Sequence, residues 1–109
     1  MMVSTTNEIA GFKTVRHLGL VRGITVRSRS VVGNFVGGIQ SIFGGQIGVY
    51  VELAESARQE AFDRMCAHAA QGGANAVIGM RYDANDIMDG ITEVLAYGTA
   101  VCVEPFAVS

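Results

Sequence analysis

GGQIGVYVELAESARQEAFDRMCAHAAQGGANAVIGMRY, residues Gly44 to Tyr82, is the stretch whose reading decides the fold. It runs from one glycine pair through a long segment rich in Ala, Glu, Arg, Leu and Met to a second pair, Gly72-Gly73, and on into a short apolar run. Strong helix formers closed by glycine predict a helix from about Gly48 to Gln71, and Ala74 to Tyr82 predicts a strand buried on at least one face. At about 100° per residue, Tyr50, Val51, Ala54, Ala57, Ala61, Met65 and Ala69 fall on one broad face of that helix, while Glu52, Glu55, Gln59 and Asp63 fall on the other. The small alanines predict close approach to a sheet or another helix, with Met65 and Phe62 filling volume. Glu60 and Arg64 are spaced for an i,i+4 pair worth a few tenths of a kcal/mol.

Working outward toward the N-terminus, Met2 to Gly11 is small and polar and predicts a short extended segment turned at Gly11. Thr14 to Ser28 reads as a strand, with Leu18, Leu20, Ile24 and Val26 on one parity and Val15 and Val21 on the other. Gly19 and Gly23 mark bulges or close backbone contacts within it. Arg16, Arg22 and Arg27 place one of its faces against solvent or an acidic neighbour. Between this strand and the long helix, Val32, Phe35, Val36, Ile39, Ile42 and Phe43 recur at three- and four-residue steps and predict an amphipathic helix over Val31–Phe43. Its Gly33, Gly37 and Gly38 each cost about 1 kcal/mol relative to alanine, so it needs tight packing. Gly44-Gly45 supply its stop.

Toward the C-terminus, Asn85, Asp86, Asp89 and Gly90 read as a turn region. Ile91 to Glu104 then predicts a long strand, apolar on both faces and ended by Pro105. One face suits the long helix; the other needs a second subunit or the Val31–Phe43 helix. The elements define an α+β class, a long helix packed on an antiparallel sheet, in one domain over residues 1–109.

The composition argues for assembly. Half of the residues are hydrophobic and 17% are charged. A compact monomer of this size exposes on the order of 5,800 Å². So few polar side chains cover that poorly, which predicts homo-oligomerisation. Apolar runs are interrupted well short of the roughly 18 residues of a membrane span, and the first residues lack a secretory pattern, so the expected compartment is the cytoplasm and no membrane partner is expected. The net charge of −2 and the scatter of the eight basic residues leave no patch for nucleic acid. Cys66 and Cys102 have no metal-type spacing and read as free thiols.

Ser4-Thr5-Thr6, Gly44-Gly45 followed by Tyr50, Ala57-Arg58 and Ala61, the run Gly73 to Gly79 (GANAVIG) and Gly98-Thr99-Ala100-Val101 stand in an order and spacing similar to the YbjQ-like family of small bacterial and archaeal proteins. The resemblance covers Val3 to about Val103. It implies a dodecin-like subunit assembled as a homo-oligomeric ring, with a pentamer the expected form and a decamer of two stacked rings the alternative. The family carries a heavy-metal-binding label, but the resemblance transfers no ligand set.

Candidate sites follow from residue type and placement. Cys66 and His68 are a C-x-H pair, yet two residues span about 200° on a helix, so they project to nearly opposite sides and cannot hold one ion within a subunit. The same reading sets Cys66 on the polar edge and His68 near the apolar face. Asp83, Asp86, Asp89 and Glu93 gather around one turn and offer oxygen ligands to a divalent metal ion, although the spacing is not that of a calcium loop and solvated turn carboxylates are commoner. Gly44 and Gly45 precede a helix N-terminus, where free N–H groups favour an anion, or simply form an interhelix turn. Arg58 falls inside the apolar stripe near Met65, Val51 and Ala69; a guanidinium partly buried there needs a carboxylate, carbonyl oxygens or an anionic ligand. The ordinary reading is an ion pair that fixes the helix, and anion binding is the alternative. No Ser-His-Asp or Cys-His order in a nucleophile context appears, and His17 and His68 gain no catalytic partner from the sequence. The function expected is a ring protein that binds a metal ion or small anion at subunit interfaces without turnover. A purely structural or protein-interaction assembly is the alternative, and an enzyme with an intersubunit site has no positive support.

Overall fold

β4 (Ile91–Pro105) is the spine of the molecule, paired antiparallel on one side with β2 (Phe12–Ser28) and on the other with β3 (Ala76–Met88). A computed structural model describes residues 1–28 and 46–107. The expected Val31–Phe43 helix and the Gly44-Gly45 pair lie outside those residues. The remaining elements are β1 (Met2–Val3) and α1 (Gln46–Gln71), and the sheet order is β1-β3-β4-β2.

The α+β class holds, with two corrections to the sheet. It is mixed rather than antiparallel, because β1 runs parallel to β3, Met2 opposite Ala76 and Val3 opposite Val77. Backbone bonds extend that contact, Ser4 N–H to the Val77 carbonyl at 2.9 Å and Met80 N–H to the Ser4 carbonyl at 3.0 Å. The second correction concerns the expected turn. Asn85 and Asp86 are strand residues, paired with Glu93 and Thr92, and β3 continues to Met88. The reversal is confined to Asp89-Gly90, where Gly90 has φ +77°, the left-handed region an Asp-Gly hairpin turn uses.

α1 lies on the sheet through Ala57, Ala61, Met65 and Ala69, all buried, against Val21 of β2, Val77 and Met80 of β3, and Val94, Ala96 and Ala100 of β4. The approach is closest at Gly23, where a Cβ would collide with the Ala61 carbonyl oxygen and the Met65 nitrogen. Only hydrogen fits there, which is what the alanine seam on the helix and the glycine on the strand are for. The predicted stripe is cut short at its start. Tyr50, Val51 and Ala54 are exposed, because α1 meets the sheet only from Ala57 onward and stands off it before that.

A second cluster, Ala76, Ile78, Val101 and Val103, lies apart from the helix cluster and packs with Met2, Ile9 and Phe12. At this end the far face of β4 is therefore covered by the chain's own N-terminal segment rather than by another subunit. A register shift lets β3 serve both clusters: between Ile78 and Arg81 the ladder slips, with Gly79 at φ +61°. The slip puts Met80 in the helix cluster with Val77 while Ile78 stays in the other.

Candidate functional site

Where α1 stands off the sheet a cleft of about 500 Å³ opens between its first half and the β3–β4 hairpin. Leu53, Ala54, Ala57 and Arg58 form the helix wall. Ala84, Asp86, Asp89, Gly90, Thr92 and Val94 form the hairpin wall, and Arg27 and Ser28 close the β2 end. A larger open hollow of about 1110 Å³ sits among Met2–Phe12 and Phe106, but its only charged side chain is Glu8. The smaller cleft holds the chemistry.

Arg27, at the β2 end of the cleft, is tied to the helix through Glu60. Arg27 Nη1 donates to Thr25 Oγ1 at 2.7 Å and Nη2 to Glu60 Oε2 at 2.7 Å, while Arg64 Nη2 meets Glu60 Oε1 at 2.7 Å. The expected Glu60–Arg64 pair is thus one half of a clamp that also crosses from helix to strand. The Arg27 hydrogen bond holds the Glu60 carboxyl below its ordinary range, against the opposing pull of partial burial. On the hairpin wall, Thr92 Oγ1 donates to Asp86 Oδ1 at 3.0 Å.

Arg58 is exposed, against the expectation that it is partly buried. It lies on the side of the helix that carries Met65 and Ala69, but nearer the helix start, and its guanidinium carbon stands 5.1 Å from the centre of the Tyr82 ring. Burial pushes the Tyr82 hydroxyl up and Arg58 pulls it back. Among the described residues Arg58 makes no ion pair. It therefore does not serve as the carboxylate clamp between helix and sheet; Arg27 and Arg64, through Glu60, do.

The four carboxylates separate. Asp86 and Asp89 line the cleft. Asp83 instead accepts from the Ala84 N–H at 2.9 Å and from Asn85 Nδ2 at 3.3 Å, and Glu93 stands opposite Asn85 in the ladder. Strand pleating explains the division, since successive residues point to opposite faces and the carboxylates occupy both parities. Among the described residues no group of three or more His, Cys, Asp or Glu side chains is arranged to hold a metal ion. Gly44 and Gly45 lie outside the described residues, and Tyr50 is exposed without lining the cleft.

Cys66 and His68 do point apart, but with their environments exchanged relative to expectation. Cys66 packs against the helix–sheet cluster, and burial pushes its thiol up, so it stays protonated and unreactive. His68 is exposed at the edge of β2, where its Nδ1 accepts the Arg22 N–H at 3.2 Å. Both cysteines are free; the Cys102 Sγ lies 3.4 Å from the Gly73 carbonyl oxygen. His17 is exposed on β2 opposite Val101. Arg27, Tyr82 and Thr92 enter the site only through the fold: a strand arginine, a strand-end tyrosine and a lone threonine carry no motif that would single them out.

The fold and cleft define a class, a small α+β protein with one helix described on a four-stranded mixed sheet and a cleft large enough for a small ligand beside the helix. The chain belongs to the YbjQ family: the family model described as "Putative heavy-metal-binding" matches residues 1–104. A UPF0145 protein of Chromobacterium violaceum is 60% identical over 106 residues, covering 97% of this chain and 91% of that one. Another, from Paraburkholderia phymatum, is 62% identical over 100 residues, covering 92% and 90%. Among solved structures, a protein of unknown function of the DUF74 family from Pediococcus pentosaceus superposes with a TM-score of 0.62 over 95% of this chain and 98% of that chain. At 14% identity it supports the fold alone.

Proposed function

We propose that the protein is a non-catalytic binding subunit that works as a homo-oligomeric ring, a pentamer, and takes a metal ion or small anion in sites that are completed between subunits. The observation that carries this reading is the half-built cleft. One chain supplies an arginine without an ion-pair partner among the described residues, two carboxylates and a threonine, yet leaves the helix side of the cleft flanked by exposed Tyr50 and Val51. A second subunit laid over that side supplies the missing ligands and covers the apolar surface. The family description supports the metal arm of the reading; Arg58 supports the anion arm.

Two measurements on tag-free protein test it. Light scattering is expected to give about five times the 11.5 kDa chain mass, and a stable 11.5 kDa species removes the reading. Elemental analysis after dialysis, together with titration of divalent metal ions and of inorganic phosphate, is expected to show binding that is lost in Arg58→Met for phosphate or in Asp86→Asn with Asp89→Asn for metal. An oligomer that binds neither probe favours the purely structural assembly instead.

A further inference from the structure

The ladders set which residues stand abreast on the sheet beneath the cleft. Tyr82 of β3 pairs with Ala96 of β4, Ala84 with Val94, and Asp86 with Thr92. Ala96 and Val94 belong to the cluster packed under α1, so by the strand period of two Tyr82, Ala84 and Asp86 share the helix-side face. Four residues of strand span about 13 Å, so Tyr82 and Asp86 mark two stations that far apart, with only the Ala84 methyl on this face of β3 between them.

Opposite charges stand at the two stations. At the inner one the Arg58 guanidinium lies over the Tyr82 aromatic ring, 5.1 Å from its centre. Arg58 lines the cleft and Tyr82 does not, so the guanidinium is the group a ligand meets there and the aromatic ring steadies it. At the outer station Thr92 Oγ1 donates to Asp86 Oδ1 at 3.0 Å and fixes that carboxylate. Leu53 and Ala57 on the helix wall, with Ala84 and Val94 on the hairpin wall, make the facing sides largely aliphatic.

We infer that the cleft takes an elongate organic zwitterion, its carboxylate on Arg58, its ammonium on Asp86 and an uncharged aliphatic body along Ala84 and Val94. This rests on the reading of the cleft as a binding site, and joins the anionic and cationic arms of that reading in one ligand. An ammonium suits the outer station better than a metal ion does. Its three N–H donors are satisfied by carboxylate oxygens, whereas a divalent metal ion takes about six to eight oxygen ligands. Among the described residues no third carboxylate, histidine or cysteine groups with Asp86 and Asp89. The aliphatic walls favour a hydrocarbon body over a hydrated ion. Length narrows the class further. With a charged hydrogen bond of about 2.8 Å at either end, about 7 Å is left for the ligand, the length of an extended six-carbon ω-amino acid. An α-amino acid, with both charges on one carbon, is too short to reach both stations.

An NMR titration of the full chain tests it, with the Ala84 and Val94 amides as reporters and 6-aminohexanoate as the probe. Hexanoate, hexylamine and glycine remove in turn the ammonium, the carboxylate and the separation. The probe is expected to bind about tenfold tighter than each of the three, the worth of one charged hydrogen bond. Arg58→Met is expected to bring the probe down to the affinity of hexylamine while leaving hexylamine unchanged. Asp86→Asn is expected to bring it down to that of hexanoate while leaving hexanoate unchanged. A substitution that acted only on the fold would weaken the probe and its analogues alike. Single-charge analogues that bind as tightly as the probe, or a loss that ignores which end was removed, overturn the inference and leave the cleft a binding site. Inorganic phosphate or a divalent metal ion that shifts the reporters where 6-aminohexanoate does not has the same meaning. Reporters that respond to none of these probes overturn the binding reading itself.

Discussion

At the scale of single residues, Gly23 is the tightest constraint in the described chain. A methyl group there would sit inside the backbone of α1 at Ala61 and Met65, and backbone cannot rotate away as a side chain can. Gly23→Ala is therefore expected to lower stability by about 1 to 3 kcal/mol in urea unfolding, the range of overpacked cores. Gly48 is the matched control, since a Cβ there meets nothing within 4 Å and alanine is the better helix former. Gly48→Ala is expected to be neutral or mildly stabilising. Equal effects from the two substitutions would refute the close-approach account of Gly23.

At the scale of elements, the joint between α1 and β2 is made of three devices: the alanine seam on Gly23, the Arg27–Glu60–Arg64 clamp, and the capping of the β2 edge. In the last, His68 accepts the Arg22 N–H and Arg64 Nη1 donates to the Ile24 carbonyl at 2.7 Å, so helix side chains occupy backbone groups that an edge strand leaves open. The clamp gives the joint a pH dependence. Glu60 titrates lower in the folded chain than its ordinary 4.5, so its stabilisation is present above about pH 4.5 and is lost as the pH falls through the lower, folded value. Glu60 is about one-third exposed, so the effect is screened by salt. Urea midpoints measured from neutral pH down through this acid range are expected to fall more steeply for wild type than for Glu60→Gln, with the difference shrinking at high salt. Parallel curves at low salt would refute the clamp.

Legibility at this scale tracked how periodic each segment is. The helix, β2 and β4 carry apolar patterns of period 3.6 or 2 and stand in the structure where the pattern places them, within about two residues. β1 is two residues long and pairs in parallel with a strand more than seventy residues away in sequence, so no local pattern announces it. The outer half of β3, Asp83 to Met88, is exposed throughout and mixes polar with apolar residues without alternation, so only the Asp89-Gly90 dipeptide marks a hairpin. For the site, Asp86, Asp89 and Arg58 were visible as chemistry, but their meeting in one cleft was not. It depends on α1 standing off the sheet before Ala57, a tertiary fact. Arg58 illustrates the limit of the helical wheel, which locates a side chain round the axis but not whether the sheet extends beneath that turn.

At the scale of the whole molecule, the chain is long and thin, with principal extents of 59 × 28 × 20 Å. Its accessible surface of 6913 Å² is roughly a fifth above the ~5,800 Å² of a compact protein of its mass. A shape that spreads its apolar residues along a rod gains stability from neighbours. If the assembled ring is the folded state that dominates, the unfolding midpoint is expected to rise with protein concentration by mass action. Differential scanning calorimetry over a hundredfold concentration range measures that dependence. A midpoint independent of concentration in wild type would refute the coupling of folding to assembly. No helix among the described residues is long and apolar enough to cross a membrane.

The ladder between β2 and β4 also has a consequence in time. Phe12 pairs with Pro105 at one end and Ser28 with Ile91 at the other, so β2 is synthesised well before its partner strand. A chain still being made carries a long basic strand with neither of its eventual covers, because the helix that caps its outer edge is made after it and the spine that fills its inner edge comes later still. Contacts this distant in sequence form slowly and leave open strand edges exposed meanwhile. Products truncated before Ile91 therefore lack both ladders of the spine strand, and the sheet that α1 packs on can close only after β4 has been made.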